Sequence, residues 1–127
     1  MSDAAEGEVG FVVIGRNEGE RLVKCLASIR SVSSRIVYAD SASTDGSMTT
    51  ARGLNVETVA VEGRPSSAAR GRNQGFARLR EAYPDCELSH FMDGDCVLMP
   101  DWVEAAVRFL GKHPNAAVVC GRRFEAH

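Results

Sequence analysis

LSHFMDGDCVLMPDWV, residues 88–103, runs from an apolar segment into an acidic turn and on into a helix start. Residues 88–92 read as a strand. Asp93-Gly94-Asp95 follows at once. Pro100 and Asp101 then begin a helix with Trp102, Val103, Ala106, Val107 and Leu110 inward, and residues 111–114 stop it. Acidic residues set directly at the end of a buried strand fit an α/β protein whose ligands bind outside the strand termini.

The flanking sequence repeats the alternation. VGFVVI, residues 9–14, is a short apolar run suited to a strand buried on both faces. Asn17 is placed to cap a helix carrying Leu22, Leu26 and Ile29, with Glu18 and Glu20 in its first turn. RIVYA, residues 35–39, is a second strand, and SASTDGS, residues 41–47, turns the chain into a short helix ending near Gly53. A third strand is expected over 56–61. A long helix follows over 68–83, with Phe76, Leu79 and Tyr83 inward, until Pro84 breaks it. Residues 116–120 read as a fifth strand. Residues 1–8 read as a flexible tail, and 9–127 as a single domain.

Strand–helix alternation at this spacing predicts a three-layer α/β/α fold with a mostly parallel sheet of about five strands. Right-handed crossovers put strands two and three on one side of strand one and strand four on the other. The crevice between strands one and four is then the ligand site, lined by Arg16-Asn17-Glu18, by Asp40 and by Asp93-Gly94-Asp95.

Asp93 and Asp95 straddle a glycine. Continued in extended backbone, residues two apart point the same way, so both carboxylates reach one cation. Two carboxylates with positions left for water and phosphate suit Mg²⁺ or Mn²⁺. The competing role, which the placement favours less, is for Asp95 or Asp101 to cap the next helix. Asp40 has two readings of equal weight: a ligand contact to an imide N–H or a ribose hydroxyl, or an Asx-type turn that holds its loop. Ser43, Thr44, Asp45 and Gly46 read as turn and helix cap. Arg64, Arg70 and Arg72 could face a nucleotide or form a solvated helix face.

Composition narrows the classes further. The chain has 127 residues, 44% hydrophobic and 25% charged, with 17 acids, 15 bases and a formal charge of −2. That balance argues against non-specific binding to nucleic acid or anionic membrane. No apolar run approaches the ~20 residues of a membrane span, and the small, acidic first residues are not a secretory signal. Cys25, Cys86, Cys96 and Cys120 lack zinc-site spacing and are too sparse for a disulfide scaffold, so they read as reduced, mostly buried thiols of a cytoplasmic protein.

Four blocks in order, VVIGRNEGERLVKCLASI, IVYADSASTDGS, AARGRNQGF and HFMDGDCVLMPDWV, resemble the successive blocks of family-two glycosyltransferases of the GT-A fold, over about residues 10–121. The resemblance implies a Rossmann-like domain that binds a nucleoside-diphosphate sugar and a divalent metal for inverting transfer to a hydroxyl acceptor. Position by position, it implies that Asp40 meets the nucleotide base and Arg72 lies near it. Asp93 would serve the ribose or the metal, Asp95 would be the principal metal ligand, and Glu18 would line the pocket. Arg16 stands where the family often has an aromatic residue. Arginine can stack on a base, which leaves base identity open.

Only 32 residues follow Asp95. The family's acceptor half is longer, so the resemblance covers the nucleotide-binding half and assigns no catalytic base. Two consequences are expected: poor sugar transfer by this chain alone, and self-association through an uncovered sheet edge. The rival readings are a nucleotidyltransferase-like enzyme, disfavoured by Glu18 inside Gly15-Arg16-Asn17-Glu18-Gly19, and a non-catalytic module. The latter is either receiver-like, for which Lys112 is poorly placed, or a binding fragment completed by another chain.

Overall fold

β1 (Val9–Gly15) is one of the two inner strands of the sheet, apolar on both faces. Phe11 and Val13 point into one core cluster and Val12 into another. The computed structural model describes residues 9–121. The proposed tail over residues 1–8 and the segment 122–127 lie outside the described residues.

The strands β1, β2 (Ile36–Asp40), β3 (Glu57–Ala60) and β4 (Leu88–Asp93) form one parallel sheet in the order β3-β2-β1-β4. Strand order therefore reverses between β1 and β4, as the alternation predicted. Parallel strands require covered faces, and both are covered. α1 (Glu20–Arg30) buries Leu22, Cys25, Leu26 and Ile29 against Phe11, Val13, Ile36 and Tyr38. Ala51 of α2 (Ser47–Gly53) and Val103 of α4 (Pro100–Lys112) join the same cluster. α3 (Ala68–Ala82) is the one helix among the described residues on the other face, where Leu79 meets Val12 and Val37. The architecture is three-layered and GT-A-like.

Leu79 is buried on α3, and Phe76 and Tyr83 pack half-buried against the same cluster, so the expected inner face is present; the fully buried line also includes Gly71 and Gly75, which was not expected. The helix can press onto the sheet because glycine presents no side chain. A Cβ at Gly75 would stand 2.5 Å from Val12 Cγ1, and one at Gly71 would stand 3.2 Å from Ile14 Cγ2. Counting apolar residues alone misses such a seam.

Among the described residues the sheet has four strands, not five. After α4 the chain from His113 to Gly121 forms neither strand nor helix, and Val118 is 76% exposed. Strand propensity reports fit to a packed, pleated surface more than an intrinsic backbone preference, and residues 116–120 join no such ladder. Gly121 instead sits against the Trp102 indole. β3 and β4 are consequently the sheet edges among the described residues.

Asn17 does not cap α1. The N-cap is Gly19, and Asn17 adopts φ 52 so that its side chain serves another loop. The thiols are also less buried than expected: all four are free, but only Cys25 is buried, with Cys86 and Cys96 half-exposed and Cys120 exposed.

Candidate functional site

The carboxyl ends of β1, β2 and β4 bring the predicted residues to one edge of the sheet. In the register, Gly15 pairs with Asp40 and Ile14 with Asp93. Asp40 and Asp93 therefore flank the end of β1, about 10 Å apart at the usual strand spacing of about 4.8 Å. They stand at the same sheet edge on either side of β1, next to the reversal of strand order where open α/β sheets form their binding crevice.

Asp40 is 3% exposed, and its carboxylate is engaged from within. Oδ1 accepts the Tyr38 hydroxyl at 2.6 Å and the Ser43 hydroxyl at 2.6 Å; Oδ2 accepts the Ser43 N–H at 2.9 Å. The loop-holding role is thus present. A carboxylate has about four acceptor positions, so Oδ2 keeps room for one further donor. Burial, reinforced by the bond to Asp40, raises the Tyr38 pKa, which keeps its hydroxyl protonated as a donor. Tyr38 escaped notice as a site residue, although its position two before Asp40 on a strand places both on one face.

The two loops at this edge are stitched together. Asn17 N–H donates to Ser43 Oγ at 2.8 Å, and Asn17 Oδ1 accepts the Thr44 N–H at 2.7 Å. Asp45 accepts the Gly19 N–H at 3.0 Å through one oxygen and the Ser47 N–H at 3.0 Å through the other. The Ser47 hydroxyl donates to that second oxygen as well, and this side-chain bond is the largest influence lowering the Asp45 pKa. The loop cluster over residues 43–46 is structural, as its composition implied.

Glu18 leans inward, its side chain 17% exposed, and pairs with Arg21 at 3.1 Å. Its Cγ would lie 3.0 Å from a Cβ at Gly15 and 3.2 Å from one at Gly94, so it wedges between the ends of β1 and β4. Arg16 is exposed just after the end of β1, and no ion pair among the described residues includes it.

The acidic turn departs from the extended geometry expected of it. β4 ends at Asp93, and a turn closed by Cys96 N–H donating to Asp93 O at 3.0 Å carries Asp95. Gly94 N–H donates to Ile14 O at 2.7 Å, tying the turn to β1. Asp93 is half-exposed and Asp95 exposed, so both carboxylates open to solvent at the crevice. The α4 N-cap is Met99, without a side-chain capping bond, so Asp95 is not spent as that helix's cap. Among the described residues, no group of three or more His, Cys, Asp or Glu converges as a metal cage.

Arg72, from the first turns of α3, places its guanidinium 3.7 Å from Asp93 Oδ1. Two residues chosen from separate sequence blocks thus meet across α3 and β4. Beneath the turn, burial above all pushes the Cys25 thiol up to about 12, with Cys96 and the nearby acids adding to the effect. That thiol is inert at neutral pH.

A parallel sheet wrapped by helices, with charged and polar loops at the carboxyl edge where strand order reverses, is the architecture of the open α/β class, whose ligand sites lie at such edges. Residues 11–126 match the sequence profile of Glycosyl transferase family 2, and the chain belongs to that family. It is a glycosyltransferase at the family level. No match is found among curated proteins or among solved structures. Among the described residues, no helix is long and apolar enough to cross a membrane.

Proposed function

We propose that the crevice binds a nucleoside-diphosphate sugar with Mn²⁺ or Mg²⁺, and that the chain serves inverting transfer of the sugar to a hydroxyl acceptor. The observation that carries this reading is the approach of Arg72 to Asp93 at the β1–β4 switch point, in a chain of this family. Asp93 and Asp95 offer hard oxygen donors open to solvent, and two protein carboxylates leave positions for phosphate oxygens and water. They would hold the cation, which when bound would supply positive charge to offset the negative charge of the departing diphosphate.

The remaining roles belong to the protein's own side chains. Arg72 supplies donors to the nucleotide and keeps Asp93 oriented. Asp40 fixes the 41–46 loop and offers its remaining acceptor position on Oδ2 to a base N–H. Arg16 can stack its planar guanidinium on the base. Glu18 walls the floor between the ends of β1 and β4. A cytoplasmic setting, where thiols stay reduced, suits the four free cysteines.

Calorimetric titration with UDP, GDP and dTDP, with and without Mn²⁺, tests the reading. One diphosphate is expected to bind, and more tightly with the cation. Absence of binding by all three in the presence of Mn²⁺ would overturn it.

A further inference from the structure

α3 touches three strand ends at once. Gly71 lies against Ile14 of β1, Arg72 reaches Asp93 of β4, and Arg70 and Gln74 grip the chain leaving β3. That third contact involves residues outside the nucleotide site argued above.

Beyond β3, Val61 N–H donates to Asp40 O at 2.9 Å, so the chain leaves the sheet beside the strand end that carries Asp40. Among the described residues, those that follow have no strand partner. The Gln74 side chain replaces one: its Oε1 accepts the Glu62 N–H at 2.8 Å, and its Nε2 donates to Glu62 O at 2.7 Å. This reciprocal pair is what a neighbouring antiparallel strand offers a residue. One turn earlier on α3, Arg70 donates from Nε to Pro65 O at 2.9 Å and from its terminal nitrogen to Arg64 O at 3.1 Å. Gly63 lies between the two clamps with φ 101, and a Cβ there would stand 2.6 Å from the Arg70 guanidinium. Glycine is needed there both for that conformation and for the guanidinium to lie over the backbone.

We infer that Gln74, with Arg70, is a positioning residue that holds residues 62–65 as a wall of the crevice beside Asp40, and so sets affinity for the nucleoside part of the donor. This rests on the nucleotide reading of the crevice. The segment is exposed, and these side-chain bonds supply the backbone partners that its sequence lacks. When they are removed, the wall samples other positions, and apparent affinity falls in proportion to the lost ordered fraction.

The test is Gln74→Leu, with Arg70→Gln as a second variant, on the full chain. Hydrogen exchange of the Glu62 amide reads the clamp directly. Calorimetry with Mn²⁺ compares the diphosphate that the wild type binds, out of UDP, GDP and dTDP, with pyrophosphate. Expected are faster exchange at Glu62 and about tenfold weaker nucleoside-diphosphate binding, the fall that follows if a tenth of molecules keep the wall in place. Pyrophosphate affinity is expected to stay unchanged. A purely structural role would weaken both probes together, and that result, or unchanged nucleoside-diphosphate affinity in a variant with faster Glu62 exchange, overturns the inference. If the wild type itself binds none of the three diphosphates, the nucleotide reading has failed instead.

Discussion

The Tyr38 hydroxyl donates a 2.6 Å hydrogen bond to Oδ1 of Asp40, and both residues are buried at the end of β2. It links the core to the loop at the crevice, because the same carboxylate holds Ser43. Tyr38→Phe keeps the ring and removes the donor. A bond to a charged acceptor contributes about 1.5–3 kcal/mol. A loss at the lower end is expected, since Ser43 still donates twice. Asp40→Asn should cost more, because its amide turns an N–H toward a donor. Urea denaturation measures both, and a Tyr38→Phe protein as stable as the wild type would show that the bond does not latch the loop.

Asp93 and Asp95 separate stability from ligand binding. Arg72 and Asp93 are each about half-exposed, with 47% side-chain accessibility. Such a pair contributes at most about 1 kcal/mol to folding. Asp93→Asn and Asp95→Asn are therefore expected to unfold near the wild-type midpoint. Mn²⁺ is expected to tighten nucleoside-diphosphate binding much less in either variant than in the wild type. Calorimetry with and without the cation decides this, and an undiminished Mn²⁺ effect in both variants would remove these acids from the metal site.

Much of this arrangement was legible in sequence. VGFVVI and IVYA declared inner strands by unbroken apolar character, and the position of Asp93-Gly94-Asp95 after LSHFM placed the crevice edge. Four things were hidden for physical reasons. Residues 116–120 have strand composition, but a strand needs a partner, which composition does not supply. Asn17 is a good cap by type, yet its side chain finds Thr44, 27 positions away, a contact only the fold creates. The seam of α3 is glycine, which adds nothing to an apolar count. Gln74 reads as one more polar helical residue until Glu62 is seen beside it.

That glycine seam makes a further prediction. Alanine is favoured over glycine in a helix by about 1 kcal/mol. At Gly75, however, the added Cβ would lie 2.5 Å from Val12 Cγ1 and 3.4 Å from Ala39 Cβ. Overpacking of this kind costs about 1–3 kcal/mol, so Gly75→Ala is expected to be destabilising despite its propensity. Gly111 in α4 has no heavy atom within 4 Å of its added Cβ, and Gly111→Ala is expected to gain up to about 1 kcal/mol. Thermal unfolding of the pair checks both signs. Stabilisation by Gly75→Ala would mean that α3 can lift from the sheet without loss.

The last prediction concerns acid. Trp102 Nε1–H donates to His90 Nε2 at 2.9 Å, joining α4 to β4, while the His90 ring stacks on Phe11 with centroids 5.0 Å apart. An accepting Nε2 requires the neutral ring, with its hydrogen on Nδ1. Burial lowers the His90 pKa from 6.5. Below 6.5 the unfolded chain therefore takes up the proton before the folded one does. The stability associated with the neutral ring is complete above 6.5 and is lost as pH falls through the lowered folded-state pKa. Protonation also sets a second donor against the indole N–H. His90→Gln keeps an acceptor for Trp102 and cannot titrate in this range, so the difference in stability between wild type and variant should narrow as pH falls from 7 toward 5. Urea midpoints at each pH, followed by Trp102 fluorescence, give that difference. A gap that stays constant across the range would show that His90 takes up its proton equally in both states.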